Sequence, residues 1–154
     1  MNTTQLIDEF LKQKNIAVAG MSRKPQGAVG NLVYKKFKNA GYNVYAINPN
    51  ADEIEGEKCY RSLKSVPVKP DAVFISTHPK QSLDVVKECA EAGINKVWFH
   101  RSFGQGSYDQ EAEKFCKENG IDAIIYACPM MYVQPVDFGH KCIKFLMKIG
   151  GKLK

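Results

Sequence analysis

The residues whose spacing carries the most chemistry run Ile16-Ala17-Val18-Ala19-Gly20-Met21-Ser22-Arg23-Lys24-Pro25-Gln26-Gly27-Ala28-Val29-Gly30. An apolar run ends in a glycine, a cationic stretch follows, and two further glycines lead into a helical pattern. The order is strand, glycine-rich turn, helix. It aims backbone N–H groups and a helix N-terminus at an anion, most often a phosphate. Ser22 offers a hydroxyl to a phosphate oxygen, and Arg23 and Lys24 add charge at the same mouth. The usual dinucleotide spacing is Gly-x-Gly-x-x-Gly. Here Ser22 stands at its second glycine and Pro25 at its third, so the turn is longer. On this reading Gly20→Val abolishes binding by blocking the close approach of backbone to ligand.

A second signal lies where the apolar run 43–47 stops, at Asn48-Pro49-Asn50. An NAD-binding domain usually places Asp or Glu there to hold the ribose 2′-hydroxyl. Here the next carboxylate is Asp52. An uncharged end tolerates a phosphorylated ribose, which leaves NADP or coenzyme A. Asn-Pro is also a common turn dipeptide, and the turn and site readings both stand.

The elements that must position these groups follow from periodicity. Strands are expected at 15–19, 43–47, 72–76, 96–99 and 122–126. Helices are expected around Leu6 to Leu11, from Gly27 to Gly41, from Pro79 to Gly93, at 108–119 and at 136–149. Residues 50–70 read as irregular. Alternating strands and helices imply an α/β fold, a Rossmann-like, doubly wound, five-stranded parallel sheet in three α/β/α layers. The expected order is 3-2-1-4-5, with 72–76 at the edge beside 43–47 and the switch point between strands 1 and 4. One domain spans 1–154. The carboxyl ends of the strands then bring Gly20, Asn48-Pro49, Ser76-Thr77-His78-Pro79, Phe99-His100-Arg101 and Ala127-Cys128-Pro129 to one cleft.

Composition narrows the classes. Hydrophobic residues make up 44% of 154, enough for a sizeable core, and the net charge is +6. The lysines are scattered rather than blocked, so the surplus reads mostly as solvated surface. No recognition-helix motif or aromatic-basic platform supports nucleic-acid binding. No apolar run is long enough to span a membrane, and no secretory signal pattern opens the chain. Five cysteines, Cys59, Cys89, Cys116, Cys128 and Cys142, show no zinc spacing. Free thiols, a cytoplasmic location and no metal are expected.

No Ser/His/Asp or Cys/His spacing names a nucleophile and base, so no catalytic set is assigned. His78 and His100 end strands, where ligand contact and a loop histidine are equally good readings. His140 reads as surface or packing. Cys128 ends a strand at the cleft and could form a mixed disulfide with a ligand thiol. Packing is the favoured reading, because free cysteine is usually buried.

The chain resembles the coenzyme A-binding domain family, similar in fold to the N-terminal nucleotide-binding domain of the succinyl-CoA synthetase alpha subunit. The resemblance rests on Val18-Ala19-Gly20-Met21-Ser22-Arg23, Gly41-Tyr42-Asn43-Val44-Tyr45-Ala46-Ile47-Asn48-Pro49 and Ile54-x-Gly56-x-x-x-Tyr60-x-Ser62-Leu63. It continues through Asp71-Ala72-Val73-Phe74-Ile75, Lys96-Val97-Trp98 and Cys128-Pro129, and covers Asn15 to Met130. It implies coenzyme A across the strand ends. The phosphates meet the turn holding Gly20, Ser22, Arg23, Lys24, Gly27, Val29 and Gly30. The adenosine end meets Asn48 and Pro49. The pantetheine arm runs toward Ser76, Thr77 and Trp98, although a strand-end core role for Trp98 is an equally good reading. Pro79 and His100, at strand ends, complete the candidate binding set. In that synthetase the active histidine comes from a second domain, and no such domain is expected within these 154 residues.

Two features depart from the family. The loop Phe99-His100-Arg101-Ser102-Phe103-Gly104-Gln105-Gly106 is longer and more basic, and the tail beyond Tyr132 is longer. That tail is expected to cover the sheet edge or form a contact with a second copy or another protein. The resulting expectation is a non-catalytic coenzyme A or acyl-CoA binding protein, acting as carrier, sensor or regulatory partner. The alternative is an NAD(P)-binding redox enzyme or redox-sensing domain, against which the missing carboxylate after Ile47 counts.

Overall fold

Asn2 starts the first helix, α1 (Thr3–Leu11). Its side chain accepts the Gln5 N–H, and Gln5 Oε1 accepts the Asn2 N–H, both at 2.9 Å. This reciprocal pair satisfies two donors that a helix start leaves free. Ile7 and Phe10 turn inward. β1 (Asn15–Ala19) follows and is buried on both faces, as a central parallel strand must be. α2 (Val29–Asn39) buries Val33, Tyr34 and Phe37, and β2 (Asn43–Ile47) comes next. A hairpin follows, β3 (Glu53–Ile54) and β4 (Glu57–Tyr60). The chain then runs through β5 (Ala72–Ile75), α3 (Pro79–Glu91), β6 (Lys96–Phe99), α4 (Gln110–Glu118), β7 (Asp122–Ile124) and α5 (Phe138–Ile149). This computed structural model describes residues 1–24, 26–101 and 104–153. Pro25 of the glycine-rich turn and Ser102 and Phe103 of the loop after Trp98 lie outside the described residues.

The sheet order is β3-β4-β2-β1-β5-β6-β7. Every neighbouring pair is parallel except the β3–β4 hairpin. The doubly wound α/β/α architecture is as expected, with seven strands rather than five. The place of one strand is corrected. Residues 72–75 do not lie at the edge beside β2. β5 pairs with β1, from Ile16↔Ala72 to Ala19↔Ile75, and β4 holds the place beside β2. The switch point therefore falls between β1 and β5, not between β1 and the strand 96–99. The hairpin turns at Glu55-Gly56, both with positive φ (51° and 79°). Such a two-residue turn matches the twist of its strands.

Alternation along the strands sorts the core into two faces. Ile16, Val18, Phe74, Trp98 and Ile124 pack with α1, α2 and Met147 of α5. Ala17, Ala19, Val73, Ile75, Val97 and Phe99 pack with Val86 and Cys89 of α3 and Ala112 and Cys116 of α4. The tail helix α5 thus lies on the α1–α2 face, against the 129–131 turn. Its outer side exposes Phe138, Phe145, Leu146 and Ile149.

Candidate functional site

Gly20 directly follows β1, and its φ of +97° places it where a side chain is strained. A Cβ there would stand 2.6 Å from Ser76 C and Thr77 N, so the chain itself fills that space. This corrects the expectation for Gly20→Val. The added side chain meets the β5 backbone of the protein before it meets any ligand, so its first effect is on folding. Gly30, in the first turn of α2, is equally confined. A Cβ there would lie 2.4 Å from Ser76 Oγ and 3.0 Å from Gly20 O. It is the glycine that lets the helix close on the strands. Gly27 has positive φ and open space around it. It serves the turn and packs against nothing.

Two carboxamides hold the loop between them. Asn31 is 1% exposed. Its Oδ1 accepts the Ser22 N–H at 2.8 Å, and its Nδ2 donates to Ser22 O at 3.0 Å and to Glu55 Oε2 at 2.9 Å. Asn48 Nδ2 donates to Met21 O at 2.7 Å, while Asn48 Oδ1 accepts the Asn50 N–H at 2.8 Å. Asn48 therefore makes the turn and ties it to the loop at once. The Ser22 hydroxyl lies 3.0 Å from both the N–H and the O of Lys24, and in this conformation it donates to the latter. Its proton is used inside the turn rather than offered outward.

The loop borders a cavity of about 870 Å³ at the carboxyl ends of β1, β2 and β5. Of the residues expected there, Gly20, Ser22, Arg23, Lys24, Asn48, Pro49, Ser76 and Thr77 line it. Arg23 and Lys24 are exposed, and among the described residues neither makes a salt bridge. Ser76 Oγ reaches Ala19 O at 3.1 Å, and Thr77 Oγ1 lies 3.0 Å from Ser82 Oγ. His78 lines the cavity and caps α3, its Nδ1 accepting the Lys80 N–H at 3.4 Å.

The sequence reading missed Arg61 and the α3 residues Gln81, Asp84, Val85 and Glu88, which also line the cavity. Arg61 grips Asp52 with two hydrogen bonds, Nε–Oδ1 at 2.9 Å and Nη2–Oδ2 at 3.0 Å. This hydrogen bonding, with the guanidinium charge, holds the Asp52 carboxyl below its ordinary range. Glu88 accepts the Leu63 N–H at 2.9 Å. The cavity is thus cationic at the loop and acidic along α3. The spacing 81, 84, 85 and 88 is one helix face and was a usable signal.

Six expected residues do not line this cavity: Gly27 and Gly30, which shape the turn and the start of α2, and Pro79, Trp98, Val29 and His100. Pro79 is the first residue of α3 and does not line the cavity. Trp98 is 0% exposed and its Nε1–H donates to Ala127 O at 3.2 Å. It is a core residue, with Phe10 edge-on at 5.3 Å. Val29 and His100 line a second, smaller cavity. Cys128 is buried, and burial pushes its thiol up to about 11, which leaves little thiolate for disulfide chemistry. Arg101, in the basic loop, stacks between the rings of Tyr108 and Tyr126, at 4.1 and 4.6 Å. Its charge is used against the chain's own aromatics. Among the described residues no three His, Cys, Asp or Glu are grouped as metal ligands, and no helix is long and apolar enough to cross a membrane.

Residues 14–134, from the start of β1 to just before α5, match the family model described as CoA binding domain. The chain belongs to that family. The CoA binding domain is 32% identical over 123 residues to an uncharacterized protein, YneT, of Bacillus subtilis, covering 79% of this chain and 87% of that one. It is 32% identical over 117 residues to the acetate–CoA ligase (ADP-forming) II alpha subunit of Pyrococcus furiosus, covering 73% of this chain but 24% of the subunit. A hypothetical protein from Pyrococcus horikoshii OT3 has the same fold, with TM-score 0.73, 30% identity and coverage of 83% and 87%. The domain thus spans about a quarter of the ligase subunit and most of YneT.

Proposed function

We infer that this protein binds coenzyme A, free or acylated, and carries no catalytic set of its own. The observation that carries the reading is the roomy cavity at the β1–β5 switch point of a CoA binding domain, with Arg23 and Lys24 at its mouth. Open α/β sheets take ligands at such a crevice. Coenzyme A brings three phosphates, and the cationic loop is the complement they need. α2 begins at Ala28 with no side chain capping its first turn. That leaves backbone N–H groups free to meet a phosphate. The uncharged Asn48-Pro49 end suits a phosphorylated ribose. Ser76 and Thr77 then guide the pantetheine arm along the strand ends toward His100. A carrier, sensor or regulatory partner in a reducing, cytoplasmic setting fits the absence of paired cysteines among the described residues.

The test is thermal unfolding with coenzyme A, acetyl-CoA, NAD, NADP and ATP side by side. At a hundred times its Kd a ligand adds about 2.7 kcal/mol, which raises Tm by roughly 5–10 °C for a chain of this size. Coenzyme A should do so, and Arg23→Ala should weaken its binding about five- to tenfold, the worth of one exposed charge-assisted contact of roughly 1 kcal/mol. A shift with NAD or NADP and none with coenzyme A refutes the reading.

A further inference from the structure

The second cavity, of about 120 Å³, is walled by Val29 and Leu32 of α2, His100 after β6, Cys128 after β7, and His140 and Ile143 of α5. We propose that it seats a short acyl chain carried on the coenzyme thiol, with the thioester carbonyl accepting a hydrogen bond from His100 Nδ1. The proposal rests on the coenzyme A reading above and adds the class of ligand.

Position comes first. β5 and β6 pair Ile75 with Phe99. The next residues, Ser76 and His100, therefore end neighbouring strands, which run about 4.8 Å apart. Ser76 lines the first cavity and His100 the second. The glycine-rich loop borders the first cavity with residues 20–24, and Val29, the first residue of the helix it leads into, borders the second. The first cavity opens on the α3 side of the sheet and the second on the α1–α2 side. A ligand joining them passes over the carboxyl ends of β5 and β6.

Size and lining come next. An apolar cavity of about 150 Å³ takes up benzene, so this one has room for roughly four carbons. Its walls are apolar apart from its histidines and Cys128, with Met130 and Met131 able to adjust to a chain. His100 Nδ1 is buried and has no hydrogen-bond partner among the described residues. A buried polar atom of this kind costs stability until something meets it, and a carbonyl oxygen does so when that nitrogen carries the proton. Burial also lowers the His100 pKa, which keeps the ring neutral at pH 7 and free to present one N–H. The Cys128 thiol, raised by burial, is a poor nucleophile, so an acyl group in this cavity stays on the coenzyme. Two of the walls, His140 and Ile143, belong to α5, which lies beyond the matched residues 14–134. The pocket is thus completed by this chain's own tail.

The experiment is calorimetric titration of the full chain with coenzyme A, acetyl-CoA, butyryl-CoA and octanoyl-CoA. Each buried methylene is worth about fourfold in affinity. Butyryl-CoA should bind at least roughly tenfold tighter than coenzyme A, and octanoyl-CoA should gain nothing further. Ile143→Phe should bring the butyryl-CoA to coenzyme A affinity ratio close to one. Leu32→Phe, at a half-exposed position, gives the same reading if Ile143→Phe does not fold. His100→Leu should lower the ratio, and His100→Asn, which keeps a donor near Nδ1, should restore part of it. Equal binding of coenzyme A and butyryl-CoA overturns the proposal while leaving the coenzyme A reading intact. So does affinity that keeps rising to octanoyl-CoA. No binding of coenzyme A itself overturns both.

Discussion

Gly30→Ala sets two known effects against each other, and the geometry decides the sign. In an open helix the change stabilises by up to about 1 kcal/mol, because alanine loses less backbone freedom. At Gly30 the new Cβ arrives 2.4 Å from Ser76 Oγ and 3.0 Å from Gly20 O. Overpacking of that kind costs about 1–3 kcal/mol. Ser76 can turn its hydroxyl away only by giving up its bonds to Ala19 O and Gly20 O, worth about 1 kcal/mol. The Gly20 carbonyl is backbone and cannot retreat without moving the loop. The net expectation is a loss of about 1–2 kcal/mol, or a Tm lowered by roughly 3–6 °C. Ser76→Ala removes the nearer of the two obstacles, so the double variant should be more stable than the sum of the single changes by about 1 kcal/mol. Urea unfolding of the wild type, both single variants and the double variant gives the full cycle. Gly30→Ala equal to or above wild type, or strict additivity with Ser76→Ala, would refute the packing argument.

Three further outcomes are expected. Asn31→Ala removes both bonds to the Ser22 peptide and one to Glu55, and should cost about 2–3 kcal/mol in urea unfolding; a loss near zero would mean that the loop is held by Asn48 alone. Of the five cysteines only Cys142 is exposed, and burial raises the thiols of Cys59, Cys89, Cys116 and Cys128; a thiol reagent should therefore label one site fast in the native protein and none in Cys142→Ser. His100 is held below its ordinary value of 6.5 by burial, so the unfolded chain takes up that proton first. This stability is complete above about pH 6.5 and is lost as the pH falls through the lower folded value, so thermal unfolding followed from about pH 7.5 to 5 should show a smaller drop for His100→Asn than for wild type.

How far the sequence could be read depended on how local each signal was. β1, β2 and β6 were placed to the residue, because each is an unbroken apolar run with a clear stop. β4 was not, because Glu57-Lys58-Cys59-Tyr60 has no apolar alternation and the first of the two positive-φ positions in its turn is taken by Glu55 rather than Gly or Asn. What stabilises that hairpin is distant: Lys35 pairs with Glu55 at 2.7 Å, and Lys38 pairs with Glu57. With β4 unseen, its place beside β2 went to 72–76. The site divided in the same way. Gly20, Ser22 to Lys24, Asn48, Pro49, Ser76 and Thr77 directly follow strands, and line the cavity. Arg61 follows the unseen β4. For Trp98 the sequence left core and ligand readings level; parity decides for the core, since it shares a sheet face with Phe74 and Ile124. Asn31 gave a signal that could have been used, an amide set in the helical run Val29, Leu32, Val33.

The Asn31 clamp also bears on how fast and with what heat a ligand would bind. A phosphate-binding loop that is loose in the free protein must lose its freedom when the ligand arrives, which slows association and weakens affinity. Here the N–H and the carbonyl of Ser22 are both bonded by Asn31, buried in α2, and Met21 is tied by Asn48, the residue after β2. Much of that ordering is therefore completed when the chain folds. Encounter should be quick and governed by ionic strength rather than by loop closure, and the free and bound loops should superpose. The same clamp joins the loop to Glu55 at the hairpin tip. Amide exchange at the β3–β4 turn, remote from the ligand in sequence, should slow when the loop is occupied.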